Sequence, residues 1–192
     1  MANGRKTPKR QKPPIQPRRS DQYGAGDVPE NQQRLIGLLV LNFAKLEHNV
    51  ENAIWNFLGL SIDEGRPLTS RLSTDSKIEM LKSLAKTYLR GELLNDTLEC
   101  VDLINGYKED RNFVVHGSWG TLMPEVVPVC ASLRPQAPPG EVISETFPEE
   151  RMLAIINGIL EAIGNIRTLR TLLEKARTEQ PRTVGESPPG ED

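Results

Sequence analysis

Residues 35–57 read LIGLLVLNFAKLEHNVENAIWNF, and within them Leu35, Leu39, Phe43, Leu46, Val50, Ile54 and Phe57 recur at steps of three and four. An α-helix turns once in about 3.6 residues, so this spacing gathers those side chains into one apolar stripe. Upstream, Asp27-Val28-Pro29-Glu30 supplies a capping residue and a proline in the first turn; downstream, Gly59 marks the end. A helix of about 30 residues is therefore predicted, with one face in the core. Glu47 breaks that face. It lies four residues after Phe43 and three before Val50, so its carboxylate leaves from the apolar side and requires a partner there. His48 falls with Ala44, Glu51 and Asn52 on a more polar side, where an ordinary surface histidine is expected.

Working toward the C-terminus, a loop containing Gly65 and Pro67 and a short turn around Leu68 to Leu72 lead to Ser73-Thr74-Asp75-Ser76, a cluster of capping residues with Glu79 three beyond Ser76. Ile78, Leu81, Ala85 and Tyr88 follow at helical spacing, and Gly91 stops the run. A third helix begins near Glu92, with Leu94, Leu98, Val101, Ile104 and Tyr107 on one line. The next step on that line is Arg111, which the periodicity turns toward the core, and Gly117 is placed to end the helix. Residues 118–147 differ in kind. Pro124, Pro128, Pro135, Pro138 and Pro139 exclude a helix and permit one or two short edge strands at most. A last helix starts at Thr146-Phe147-Pro148-Glu149, a capping-box pattern, and runs to about Arg177 with Met152, Ile155, Ile159, Ile163, Ile166, Leu169 and Leu173 as its stripe. Gly158 and Gly164 inside it point to close helix approach. The reading is an all-α antiparallel bundle of four main helices, with a 30-residue loop or short β-hairpin excursion before the last.

The chain has 192 residues, 37% of them hydrophobic, enough for one domain with a core. Its formal net charge of −2 is unevenly spread. Residues 1–20 carry Arg5, Lys6, Lys9, Arg10, Lys12, Arg18 and Arg19 with no acid and four prolines; 1–26 read as a disordered basic arm and 178–192 as a second disordered tail. Residues 27–177 hold 16 Lys/Arg against 21 Asp/Glu, a net charge of 16 − 21 = −5, which argues against broad nucleic-acid binding by the domain surface. No apolar run approaches the roughly 18 residues needed to span a bilayer, and no apolar stretch follows the basic N-terminus as in a secretory signal, so a cytoplasmic protein without membrane association is expected. Cys100 and Cys130 make no disulfide framework, and with His48 and His116 they show no paired zinc-ligand spacing. No metal or other cofactor is expected.

The chemistry concentrates in Arg111-Asn112-Phe113-Val114-Val115-His116-Gly117. A permanently charged guanidinium and an imidazole that titrates near neutrality suit a phosphodiester. Structural roles compete at each position. Arg111 could instead form a core ion pair with Glu47, His116 could interact with the helix dipole, and Asn112 could bond a backbone group. Tyr107 and Trp119 are candidates for stacking a base or for packing over the bundle mouth. Arg71 and Lys77 are candidate phosphate contacts or solvated charges.

Arg111-Asn112 followed by His116, on the C-terminal part of an inner helix of a small helical bundle, resembles the Arg-x4-His motif of the HEPN superfamily. Phe43-Ala44-Lys45-Leu46-Glu47-His48 through Trp55, Leu68-Thr69-Ser70-Arg71-Leu72 before Lys77-Ile78, and Val114-Val115-His116-Gly117 are together similar to uncharacterised bacterial proteins of that type. The resemblance spans roughly residues 30–177. It implies metal-independent RNA cleavage in a homodimer, with the two motifs meeting across a two-fold axis. Many members are toxins of toxin–antitoxin or phage-defence systems, which implies a possible antitoxin or defence-system partner. Others have lost the motif and serve as silent protein-interaction or RNA-binding modules, the alternative for this chain. On first principles one His cannot easily both remove the 2′-hydroxyl proton and protonate the leaving 5′-oxygen, and a dimer supplies two. Asn112 would orient His116 or a phosphate oxygen, and Glu47 would hold Arg111.

Overall fold

The 35–57 repeat becomes α1 (Glu30–Leu58), and each apolar position of its stripe is buried. α1 stops where Gly59 takes φ 76°, letting the N–H groups of Gly59 and Leu60 reach the carbonyls of Asn56 and Trp55. Asp27 lies outside the described residues, and Pro29 occupies the N-cap position. The computed structural model describes residues 16–19, 23–24, 28–122, 127–132 and 141–179. Over these the protein is mostly helical, with a small antiparallel sheet.

Residues 62–69, read from sequence as loop, form a further helix, α2 (Ile62–Thr69). Ser61 and Glu64 build a full capping box at its start, and that local gain outweighs Pro67 and Gly65 within it. Gly65 is required for a packing reason, because a Cβ there would overlap the Trp55 indole. α3 (Thr74–Tyr88) is capped by Ser73, whose hydroxyl accepts from Ser76 N–H at 3.2 Å. Gly91, expected to stop α3, instead opens α4 (Gly91–His116) with φ 61°, and Leu89 ends α3. α5 (Glu149–Glu179) packs mainly on α1 and also on α4, while α3 packs on both α1 and α4. The common core is built from Leu35, Leu39, Leu46 and Ile54 of α1, Ile78 and Leu81 of α3, Val101 and Ile104 of α4, and Met152, Ile155 and Ile159 of α5. Of the two α5 glycines, Gly158 gives the expected close approach: a Cβ there would overlap the Tyr107 hydroxyl, whereas Gly164 faces open space.

The described residues of the excursion form more strand than a loop or a single hairpin would. β3 (Ser118–Leu122), β4 (Val127–Ser132) and β5 (Glu141–Thr146) form a meander. Two segments placed by sequence in the disordered arm, β1 (Gln16–Arg19) and β2 (Tyr23–Gly24), complete the sheet in the order β1-β5-β4-β3-β2. Pro128 is tolerated in central β4 because pairing with β5 begins only at Val129↔Thr146. Its carbonyl accepts from Phe147 N–H at 3.0 Å, and the Phe147 carbonyl, left without a Pro128 N–H, accepts from the Gln32 side chain at 3.1 Å instead. Pro17 sits in edge strand β1. Pro135, Pro138 and Pro139 lie outside the described residues.

α4 ends against β4. Gly117 has φ −81°, so it is not a left-handed cap; a Cβ there would overlap the Cys130 sulfur and stand 2.6 Å from the Phe113 carbonyl oxygen. That carbonyl accepts a hydrogen bond from the Cys130 thiol at 3.2 Å. Burial, helped by the Glu145 charge, pushes the Cys130 thiol up to about 12. Burial also pushes Cys100 to about 11, opposed by a hydrogen bond with Asn165 and reinforced by the Glu161 charge. Both thiols should therefore react with iodoacetamide at pH 7.5 more than about a hundredfold slower than free cysteine, a rate that mass spectrometry of the native chain measures directly.

By length and composition, residues 149–175 of α5 are long and apolar enough to cross a membrane, although polar residues interrupt every apolar run within them. Met152, Ile155, Ile159 and Ile166 of that segment are buried in the core against neighbouring helices.

Candidate functional site

The last two turns of α4 carry the motif, and the number of residues per turn decides how it sits. Stepping 3.6 residues beyond Tyr107 falls between 110 and 111. Asp110 takes the inner place at 9% exposure and Arg111 the flank, half-buried. Phe113 and Val114 are buried, and Val115 and His116 are exposed. The guanidinium of Arg111 lies over the Phe43 ring of α1, 5.6 Å from its centroid, and its Nη1 donates to Asn112 Oδ1 at 2.8 Å. Its Nε is buried without a hydrogen-bond partner. Arg111 and His116 are five residues apart, which separates them by about 140° around the helix and about 7.5 Å along it.

Glu47 does not hold Arg111. It accepts from Lys77 Nζ at 2.9 Å and from the Thr74 hydroxyl at 3.1 Å, while Lys77 Nζ also meets Glu51 at 2.6 Å. Lys77 is thus no solvated charge or phosphate contact; it is 7% exposed, at the start of α3, and ties α3 to α1. Burial works to lower its pKa, but hydrogen bonds to Glu51 and Glu47 and their charges overcome this, and the balance is upward from 10.5. A cation whose folded pKa is raised contributes stability that is complete below the unfolded value and lost as pH rises through the folded one. Its contribution should hold across neutral pH and fade only above about pH 10.5. Lys77→Met strands two partly exposed carboxylates and should lower unfolding stability by about 2 kcal/mol. Adding Glu47→Gln and Glu51→Gln should recover part of that loss in urea titrations; no recovery would show that the triad is not the cause.

Other candidates are used for packing. Tyr107 is 7% exposed, with its hydroxyl against Gly158, and is not available to a base. Trp119 is half-buried: its indole N–H donates to the Val114 carbonyl at 2.8 Å, and its ring lies 5.7 Å from that of Phe147. Arg71 is exposed between α2 and α3, and His48 is exposed beside Glu51 at 3.6 Å.

One charged cluster escapes sequence reasoning. Arg151 of α5 pairs with Glu145 of β5, reaches Asp110 of α4 at 4.0 Å, donates to the Thr146 carbonyl at 2.7 Å, and covers the Phe147 ring at 4.0 Å. Through Asp110 it ties the motif helix to the sheet and α5. In the sequence Asp110 stands three residues after Tyr107, and the four-residue step to Arg111 passes over it.

Cation pairing separates Arg111 from its neighbours. Among the described residues, the other buried or half-buried cations, Lys77, Lys82, Lys108, Arg151 and Arg170, each meet a carboxylate; Arg111 meets none. Among the described residues no three His, Cys, Asp or Glu side chains gather as a metal site. Compared with protein-family models, curated proteins and solved structures, the chain finds no match.

Proposed function

We propose that the chain is a HEPN-type endoribonuclease that cuts RNA without a metal ion, its main helices forming an antiparallel bundle that pairs as a homodimer. The observation carrying this reading is the half-buried Arg111 guanidinium, braced by Phe43 and Asn112 and without a carboxylate partner among the described residues. A cation so held retains N–H groups for phosphate oxygens and can stabilise charge developing on phosphorus. His116, exposed at the helix end, takes the 2′-hydroxyl proton or protonates the leaving 5′-oxygen. The separation of about 140° between the two side chains favours a site completed by a second copy's motif. Asn112 acts here as a brace for Arg111. The setting that fits is a cytoplasmic toxin or phage-defence effector restrained by an antitoxin or system partner.

A silent interaction module draws support from Tyr107, Trp119 and Lys77, three candidate RNA contacts that are committed to packing or ion pairing. Incubating the purified chain with RNA and a metal chelator decides between them. Cleavage leaving 2′,3′-cyclic phosphate ends supports the nuclease, and intact RNA at micromolar protein supports the module.

A further inference from the structure

Along α4 and α5, away from the motif, runs a groove of about 370 Å³. Its apolar surface includes Leu103, Leu169 and Leu172, the last 43% exposed, and Asn165 reaches across to the Cys100 thiol. Three acids, Asp96, Glu99 and Glu161, line it, all exposed, and among the described residues no basic side chain does. Such a surface, apolar along its length with a single-sign rim, fits an extended basic peptide with apolar or proline side chains.

The chain carries such a peptide. Residues 1–15, MANGRKTPKRQKPPI, hold Arg5, Lys6, Lys9, Arg10 and Lys12, no acid, and Pro8, Pro13, Pro14 and Ile15. Their attachment point also fits. β1 pairs antiparallel with β5, Gln16 opposite Ser144 and Arg19 opposite Glu141, so the Gln16 end of β1 is the end nearer the start of α5. From Glu149 the groove positions Glu161 and Leu172 lie about 18 and 35 Å along the helix at about 1.5 Å per residue. At about 3.1 Å per residue in a polyproline-type extension, Lys9 stands about 22 Å and Arg5 about 34 Å from Gln16, so residues 5–10 are the ones that come level with these positions. We propose that the basic segment 1–15 docks along the α4–α5 groove of its own chain, with Arg5, Lys6, Lys9 and Arg10 on the rim of Asp96, Glu99 and Glu161 and Pro8 between them on the leucines.

The test is carbodiimide coupling of amines to carboxylates on the full chain, with a mixture of isotopically light and heavy protein, read by peptide mass spectrometry. Amide links from Lys6 or Lys9 to Asp96, Glu99 or Glu161, within one isotopic form, are expected. Two variants leave every linking group in place: Arg5→Gln with Arg10→Gln removes rim charge, and Leu172→Ser removes exposed apolar surface. Each should cut the yield of these links about fivefold or more, a change of roughly 1 kcal/mol in docking. Links spread over other exposed carboxylates, or yields unchanged in Leu172→Ser, would overturn the proposal by showing attraction without a seat. Links found only between light and heavy chains would overturn it in favour of a second copy.

Discussion

On the proposed nuclease reading, RNA cleavage should fall by about three orders of magnitude in Arg111→Ala, the scale of losing a preorganised donor to the transition state, and by about two to four orders in His116→Ala, the scale of losing a general acid or base. Stability should separate these losses from unfolding. His116 is exposed, so its replacement should change the urea midpoint by no more than about 0.5 kcal/mol. Arg111→Ala gives up its contact with Phe43, worth about 1 kcal/mol, and leaves the core in place. Arg111→Lys keeps the charge but loses the planar fork that Asn112 and the Phe43 ring orient, so kcat should drop nearly as far as with alanine. A mixture of the two alanine variants tests where the groups meet. With Arg111 and His116 on different sides of one helix, a chain retaining the arginine and a partner retaining the histidine should recover part of the activity. A wild-type rate in either single variant would remove that residue from the chemistry and overturn the proposed mechanism.

What could be read from the sequence follows from the range of the forces involved. α1, α3, α4 and α5 were legible because their stripes repeat within a few residues, and the Ser73 cap and Gly59 stop are equally local. α2 was missed because Gly65 and Pro67 oppose a helix that the Ser61–Glu64 box and the Trp55 contact nonetheless stabilise. The sheet was harder still: β1 meets β5 across more than 120 residues, and a pairing of that range leaves no periodic trace. The same limit governs the site. That Glu47 needed a partner follows from its place on the apolar face; that the partner is Lys77 and not Arg111 depends on how α3 leans on α1. Arg111 on the α4 line was a near miss, since a 3.6-residue turn lets Asp110 take the inner position that whole-number steps assign to its neighbour.

Phe147 should prove the costliest single truncation. From the sequence it is one residue of a capping pattern; in the fold it joins three layers. Its side chain is fully buried, with Phe113 of α4 at 5.8 Å, Trp119 of β3 at 5.7 Å and the Arg151 guanidinium over its ring. Its backbone N–H bonds to Pro128 and its carbonyl accepts from Gln32 of α1, a side chain itself 1% exposed. No single neighbour can move into the space without leaving another contact unmade, so the cavity should not collapse. Phe147→Ala is therefore placed at about 3–5 kcal/mol, the range for a buried aromatic cut to alanine. For a domain of this size that lowers the melting temperature by about 10 °C. Phe147→Leu refills most of the volume and should lose only about 1.5 kcal/mol. Because Phe113 and Trp119 flank the motif end of α4, the alanine variant should also raise amide exchange at Val114 to Gly117 before global unfolding. Protection there equal to wild type, or a loss below about 1.5 kcal/mol, would mean that the sheet does not hold the motif helix through this ring.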